Sequence, residues 1–434
     1  MGIVFKFIKW IAIIVILVVG IMFVFKLCPP PGPWMSPPWC VDNSFEAIEY
    51  ETTHEPGHLS QVKAVNMSDT WGRNYNFNMI ENTRNNIDSS FARVAGLGAE
   101  EVYVNDFHMA KYEEDDNFTS LDYEIVDEIF LNDLRDEAMT EDDIDDLVKA
   151  AHDNGMKLGI KHNMAFVDIG KYIGLSDIAG SVQEDYANFN SGHTAEWIND
   201  FFDKWTVRLV KKAQMYDKYG VDIISITPTW MGPTFVGQED LANTRWRELI
   251  TELRNNFSGE IQTLVSYYGF VDGVDGQEDW SKYDYYQLAD IVELDVYELP
   301  TKYGLIDNPS IDQMEKVWDK FFADTTKRSK AEGFKLTVMA SIFSVPNALN
   351  NGIVEFYDII GDALDGIVKD WDYQADAFQA LFKSLENNED IDRIIIGGYW
   401  WDDAMDPLVK PRISLSQSIR NKPAQAVVEK WFKN

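Results

Sequence analysis

The sequence of 434 residues contains few cysteines and few basic residues. Two cysteines, Cys28 and Cys40, cannot form a disulfide scaffold or a four-cysteine zinc site. Lysine and arginine number 38 against 72 acids, a formal net charge of −34. Because so negative a field repels phosphate backbones, we predict no nucleic-acid partner. A hydrophobic content of 45% nevertheless excludes a mainly disordered chain.

Histidine is also scarce, with six residues and no HExxH or similar metal-binding motif. Asp106 and His108 share a strand face and could bind a metal, but the sequence favours solvated residues at the rim of the fold. The acidic stretch at 272–279 lacks the spacing of an EF-hand loop. We therefore predict neither a metal ion nor a cofactor.

Acidic residues are absent from the first forty positions, where an uninterrupted apolar run covers residues 10–25. With its apolar flanks, this run is long enough to cross the ~30 Å core of a bilayer as a helix. A cleaved signal peptide is the alternative, but residues 23–27 contain none of the small residues that a cut site needs. We predict a single-pass transmembrane anchor over residues 1–27. Lys6 and Lys9 favour a cytoplasmic N-terminus, which puts the rest of the chain on the extracellular side.

Proline is concentrated behind this run, with six of the 15 prolines in residues 28–40. Such a segment is extended and semi-rigid, so residues 28–58 are predicted to be a spacer and lead-in segment. Cys28 and Cys40 either pair outside the cell or remain free thiols. Three Asn-X-Ser/Thr triplets, at Asn66, Asn117 and Asn256, match the glycosylation pattern, which is also common by chance.

Short β-rich runs alternate with amphipathic helices through residues 59–434, which we predict to be one domain. Eight such units indicate an α/β fold, a single (β/α)8 TIM barrel. A doubly wound sheet is the alternative, but it usually has a glycine-rich phosphate loop after its first strand, and none is present. The predicted strands are 62–68, 101–106, 157–164, 221–228, 260–268, 291–298, 335–343 and 393–401.

Aromatic, carboxylate, amide and histidine side chains alternate at the carboxyl ends of these strands, where barrels carry their functional residues. Aromatic faces stack on the apolar faces of sugar rings and polar neighbours bond the hydroxyls, so we predict a carbohydrate cleft. Alternatively, the aromatics fill the barrel or cap its rim. The predicted substrate-binding residues are Asp106, His162, Asn163, Trp230, Tyr267, Glu293, Tyr297, Trp400 and Trp401.

Four segments carry a resemblance to a known family: residues 244–269, residues 294–300, the eighth strand IIIGGYWWD and the terminal segment NKPAQAVVEKWF. In these the sequence resembles a clan A glycoside hydrolase, nearest the β-mannanase-type family of (β/α)8 barrels. The resemblance implies a retaining mechanism with one glutamate at the end of strand 4 and another at the end of strand 7. Thr229 stands at the first position, and Ala340 or Ser341 at the second.

The absence of both glutamates predicts a barrel that binds carbohydrate without the standard retaining mechanism, a possible pseudoenzyme. An active hydrolase with relocated carboxylates is one alternative, with Asp106, Asp295 and Asp402 as candidates. A non-catalytic structural or interaction protein of the cell surface is the other.

Overall fold

The chain folds as alternating strands and helices over the residues that the computed structural model describes. These are 47–70, 86–113, 120–126, 139–166, 192–227, 235–266, 280–299, 301–350, 368–401 and 414–434. In these ranges, no helix combines the length and the apolar character needed to cross a membrane. The predicted anchor, Cys28, Cys40 and Asn117 lie outside them.

Eight parallel strands close into a barrel, which confirms the predicted (β/α)8 architecture. All eight predicted strands are present. Their bounds are β1 Val62–Thr70, β2 Glu101–Tyr112, β4 Lys157–Ala165, β5 Ile223–Ser225, β6 Glu260–Ser266, β7 Ile291–Val296, β8 Leu336–Ala340 and β9 Ile391–Tyr399. The ring runs β1-β9-β8-β7-β6-β5-β4-β2, and β2 pairs with β1 to close it.

One strand was not predicted. β3, Tyr123–Val126, pairs antiparallel with the second half of β2, from Met109 to Tyr112. β2 is therefore twice as long as the predicted 101–106 and continues past the barrel wall. The signal was weak because a four-residue strand offers too few alternations to establish a period of two.

Seven α-helices are described, and most pack around the barrel as its outer layer. Their bounds are α1 Ile87–Gly96, α2 Glu141–Asp153, α3 Ala195–Tyr219, α4 Glu239–Arg254, α5 Ile311–Glu332, α6 Trp371–Leu385 and α7 Pro423–Lys433.

The helix ends follow local sequence signals. Thr140 and Asp143 form a reciprocal capping box at the start of α2. Gly220 ends α3 with a φ of 86°, and Gly333 ends α5 with a φ of 82°. Glycine adopts this left-handed conformation without the steric cost of a Cβ, which is why both helices stop there.

The segment before the barrel packs against its outer helices. His54 Nε2 lies 2.7 Å from Asp376 Oδ1 on α6, and Gln379 of α6 donates to the carbonyl of Glu55 at 3.0 Å. Lys430 of α7 donates to the carbonyl of Thr52 at 2.6 Å. Residues 52–55, which the sequence analysis assigned to the spacer and lead-in segment, thus pack against the helix layer.

Two separate apolar clusters distinguish the barrel interior from the helix layer. The larger combines strand and helix residues, so it lies between the barrel wall and the helices. The smaller takes one residue from each of six strands and none from a helix, so it fills the lumen. Its members are Ala64, Tyr103, Ile223, Ile291, Met339 and Ile395. Because side chains alternate along a strand, these residues establish which positions face the lumen.

Gly159 of β4 makes room for the Tyr103 ring in the lumen. A Cβ at position 159 would lie 2.5 Å from two ring carbons of Tyr103, whose side chain is fully buried. We expect Gly159→Ala to lower the free energy of unfolding by about 1–3 kcal/mol, because the packed ring cannot move aside. Urea unfolding measures this change.

Gly96, the last residue of α1, is the matched control. A Cβ there meets no atom within 4 Å. Gly96→Ala should leave stability unchanged or raise it by up to about 1 kcal/mol. Equal losses in the two variants would contradict the packing argument.

Candidate functional site at the barrel floor

The amino-terminal end of the lumen holds a buried ion pair. Arg393 of β9 donates from Nη2 to Glu101 Oε1 of β2 at 3.0 Å, and its Nε lies 2.8 Å from Glu101 Oε2. The Tyr103 hydroxyl donates to the same carboxylate at 3.0 Å. Burial raises the pKa of Glu101, although the Arg393 charge acts in the opposite direction. In a (β/α)8 barrel this end serves stability rather than catalysis.

A second ion pair occupies the middle of the lumen. Lys161 of β4 lies 2.5 Å from Glu293 of β7, and both side chains are almost completely buried. Gln262 of β6 donates to the other oxygen of Glu293. Both carboxylate oxygens of Glu293 therefore have partners within the protein. The prediction that Glu293 binds substrate is not supported by this position, since a ligand would have to displace them.

Above these pairs, toward the carboxyl ends of the strands, five polar side chains form what we call the barrel floor. They are Asn66 of β1, Asn105 of β2, Ser225 of β5, Asp295 of β7 and Ser341 just after β8. Each is two residues beyond a lumen-facing residue, and each is buried. The sequence analysis identified only Asp295 and Ser341 as site residues. Counting two positions beyond each lumen residue would have found the others.

Several floor atoms have no hydrogen-bond partner in the described part of the chain. They are Asn66 Oδ1, Ser225 Oγ, Asp295 Oδ1 and Ser341 Oγ. Buried polar atoms are nearly always bonded, so an unpaired group in a native fold requires an explanation such as water or a ligand. Four of them on one layer of a lumen indicate a surface suited to a polar, hydroxyl-rich molecule.

Asp295 is the one carboxylic acid among the five floor residues. Burial raises its pKa well above the ordinary value, Glu293 adds to the shift, and the Lys161 charge opposes it. A hydrogen bond from Tyr297 also favours the ionised form. The net effect raises the pKa, and in its protonated form the carboxyl can donate a hydrogen bond. The half-buried Tyr297 ring stacks on Phe343 with centroids 6.5 Å apart.

Comparisons with known proteins agree with this architecture. No protein-family model matches the sequence, and no curated protein gives a significant match. A GH113 β-1,4-mannanase is similar in structure, with a TM-score of 0.56 and 14% identity over 86% of this chain and 99% of the other. The chain has the fold of the GH113 β-mannanases. At this identity the likeness concerns the fold alone.

A second neighbour is a GH113 β-mannanase from Alicyclobacillus acidocaldarius in complex with ManMIm. Its TM-score is 0.52, with 14% identity over 88% of this chain and 99% of that one. The predicted resemblance to a clan A barrel of the β-mannanase type is thus confirmed for the fold. In this GH113-like barrel, the floor lies at the end where barrel enzymes hold their substrates.

Ser341 lies directly after β8, which is the seventh strand of the barrel, and it faces the lumen. Ala340 belongs to the cluster under the helices, whereas Ser341 Oγ lies 2.1 Å from where a Cβ of Gly397 would be. Gly397 therefore has room only for a hydrogen, and Ser341 fills the space beside it. Of these two residues, Ser341 is therefore the one that faces the lumen.

Two predicted site residues face away from the lumen. Asp106 of β2 accepts from Lys212 at 2.8 Å and from Tyr216 at 3.2 Å, both on α3. His162 of β4 stacks on Tyr216 with centroids 5.7 Å apart. Their placement in the cleft was wrong. The expectation that Asp106 and His108 are solvated residues at the rim was also wrong, since both side chains are buried. Asp106 cannot form a catalytic pair with Asp295, and His162 cannot act as a base for Ser341.

The two tryptophans after β9 have different surroundings. Trp401 is buried and stacks on Phe91 of α1 with centroids 5.9 Å apart, so it belongs to the core rather than to a sugar cleft. Trp400 is half-buried, and its Nε1 donates to Ser416 Oγ at 2.8 Å. This bond fixes the ring orientation and leaves part of the indole exposed.

The remaining predictions concern residues that the structure does not describe. Thr229, Trp230, Tyr267 and Asp402 lie outside the described ranges, and Asn163 is described only in its backbone. The glycosylation pattern at Asn66, which the sequence left open, falls on a buried residue. Its side chain donates to the carbonyl of Gly397 at 3.4 Å, so the folded protein cannot carry a glycan there.

Proposed function

We propose that this protein is a membrane-anchored, extracellular carbohydrate-binding barrel that lacks the standard retaining mechanism. The observation that carries the proposal is the barrel floor, with its four unpartnered polar atoms. Residues 1–27 would anchor the chain, and residues 59–434 would face outward. Release of the protein from the membrane fraction on deletion of residues 1–27 tests the anchor.

A carbohydrate fits this floor because each sugar hydroxyl both donates and accepts a hydrogen bond. The serine hydroxyls can do the same, the Asn66 Oδ1 atom can accept, and a protonated Asp295 can donate. Tyr297, two residues beyond Asp295, and Trp400, directly after β9, supply partly exposed aromatic surface. The GH113 neighbours are β-1,4-mannanases, so β-1,4-mannan oligosaccharides are the first ligands to test.

The residues that replace the expected glutamates argue against retaining hydrolysis. Such a mechanism needs two carboxyl groups ~5–5.5 Å apart. Neither residues 221–236 nor residues 335–350 contain a glutamate, and Ser341 faces the lumen at one of the two positions. A hydroxyl cannot replace a carboxylic acid as a proton donor near neutral pH.

We expect Ser341→Ala and Ser225→Ala each to weaken binding of a β-1,4-mannan hexasaccharide by about 2- to 10-fold per hydrogen bond lost. Since neither hydroxyl has a partner in the described structure, stability should stay unchanged or rise by up to about 1–2 kcal/mol. Isothermal titration calorimetry and urea unfolding measure the two quantities.

Ser329→Ala is the matched control for these variants. Ser329 is equally buried, but it lies in α5 and donates to the carbonyl of Thr326 at 3.1 Å. This variant should lose stability and keep the wild-type affinity. The binding proposal fails if the wild type binds no oligosaccharide on a broad glycan array, or if all three variants bind equally.

A second function, hydrolysis with relocated carboxylates, is favoured by one observation. The raised pKa of Asp295 suits a general acid at the floor. Release of reducing sugar from mannan by the wild type, and its loss in Asp295→Asn, would establish this activity. Saturable binding without turnover would reject it.

A further inference from the structure

A second polar cluster lies outside the lumen, between the barrel wall and α3. It combines Asp106 and His108 of β2 with His162 of β4, and all three side chains are buried. Asp106 Oδ2 lies 3.8 Å from His108 Nε2 and 3.9 Å from His162 Nδ1. The two ring nitrogens are 2.9 Å apart. Three potential metal-ligand atoms thus converge on one point.

The spacing of these atoms suits a small divalent ion. A triangle with sides of 2.9, 3.8 and 3.9 Å has a circumscribed radius of about 2.1 Å, so one point lies that far from all three atoms. Zinc binds histidine nitrogen and carboxylate oxygen at ~2.0–2.2 Å. Two imidazoles and a carboxylate are also a ligand set that zinc uses.

Aromatic side chains of α3 hold the imidazoles in place. Trp205 contacts His108 edge-on, with centroids 5.5 Å apart, and donates from Nε1 to the carbonyl of Ile226 at 2.9 Å. Tyr216 stacks on His162 at 5.7 Å and donates to Asp106 Oδ2 at 3.2 Å. Such outer contacts orient ligands and limit access of water.

Lys212 of α3 is the competitor for this position. Its Nζ lies 2.8 Å from Asp106 Oδ2, the same oxygen that faces the histidines. A lysine ammonium and a metal ion repel each other at this range, so both cannot share the oxygen. Lys212 is itself buried, with 8% of its side chain exposed, so a metal ion at this position must displace its ammonium from Asp106.

We propose that Asp106, His108 and His162 bind one divalent transition-metal ion, with Zn²⁺ the best match, in competition with the Lys212 ammonium. The site is separate from the barrel floor, because its side chains face α3 rather than the lumen. The proposal of a metal site does not depend on carbohydrate binding at the barrel floor.

The test measures Zn²⁺ binding to the full-length chain in detergent after removal of metals with a chelator. Competition against a chromophoric zinc chelator at pH 7.5 should give one Zn²⁺ per chain. His108→Gln and His162→Asn should each weaken binding by about 100-fold or more, since each removes one of three protein ligands. His152→Gln is the control, because His152 bonds only Asp222 on the surface and should bind as the wild type does.

Lys212→Met gives an independent result that does not depend on the folding of the histidine variants. Removing the competing ammonium should tighten Zn²⁺ binding by about tenfold or more. Co²⁺ substitution should give visible absorption typical of four-coordinate nitrogen and oxygen ligands. The proposal is overturned if neither the wild type nor Lys212→Met binds stoichiometric Zn²⁺, or if binding survives in both histidine variants.

Discussion

Arg393→Met is expected to lower the free energy of unfolding by roughly 3–5 kcal/mol, the largest change proposed for a single residue. Arg393 and Glu101 form a hydrogen-bonded ion pair in the lumen, and both side chains are almost fully buried. Removing the guanidinium leaves Glu101 in a site that already penalises its charge, as its raised pKa indicates. Urea unfolding followed by circular dichroism measures the loss.

The double variant Glu101→Leu/Arg393→Met distinguishes the loss of the ion-pair attraction from the cost of leaving one buried charge without a partner. Replacing both partners by apolar residues should recover most of the stability, because no buried charge then remains. The exposed pair Arg247–Asp284, 3.0 Å apart, supplies a control. Arg247→Met should cost less than about 1 kcal/mol. Similar losses at both sites would contradict the role assigned to burial.

Asp295→Asn is expected to change how stability depends on pH. Because the folded pKa of Asp295 lies above the unfolded value, its contribution to stability is complete below the unfolded pKa. That contribution is lost as the pH rises toward the folded pKa. The variant has no such titration, so its stability relative to the wild type should grow by about 1.4 kcal/mol per pH unit above pH 4. Unfolding curves from pH 4 to pH 8 test this.

Asp217 provides a control of opposite sign. Hydrogen bonds from the side chain and backbone of Ser258 lower the pKa of Asp217. Asp217→Asn should therefore be less stable than the wild type by a nearly constant amount above the unfolded pKa, and this deficit should shrink only as the pH falls toward the folded pKa. If Asp295→Asn shows no pH-dependent difference, or follows Asp217→Asn, the carboxyl on the floor is not held in its protonated form.

The order of strands and helices was readable from local sequence. Each lumen strand is a β-rich run, and signals such as Thr140 at the start of α2 and Gly220 at the end of α3 mark the helix limits. These signals act within a few residues, so no tertiary information was needed. Eight repeated units then imply a closed barrel, because strands and helices in alternation bury their apolar faces in that arrangement.

The direction of the polar side chains was not readable in this way. A period of two indicates that Asp106 and Tyr103 lie on opposite faces of β2, but not which face points into the barrel. The structure decides it through Lys212 and Tyr216, which are 106 and 110 residues further along the chain and give Asp106 its partners. Local sequence does not contain such long-range pairing.

The same limit applies to the candidate sites. Sequence alone established the charge, and it predicted the anchor, the barrel and the replacement of both glutamates. Tertiary structure decided that Ser341 rather than Ala340 faces the lumen, that Glu293 is held by Lys161, and that Asp106 joins two histidines behind the wall. The physical reason is that a polar residue takes its role from the partner it meets across the barrel, and only closure of the ring brings those partners together.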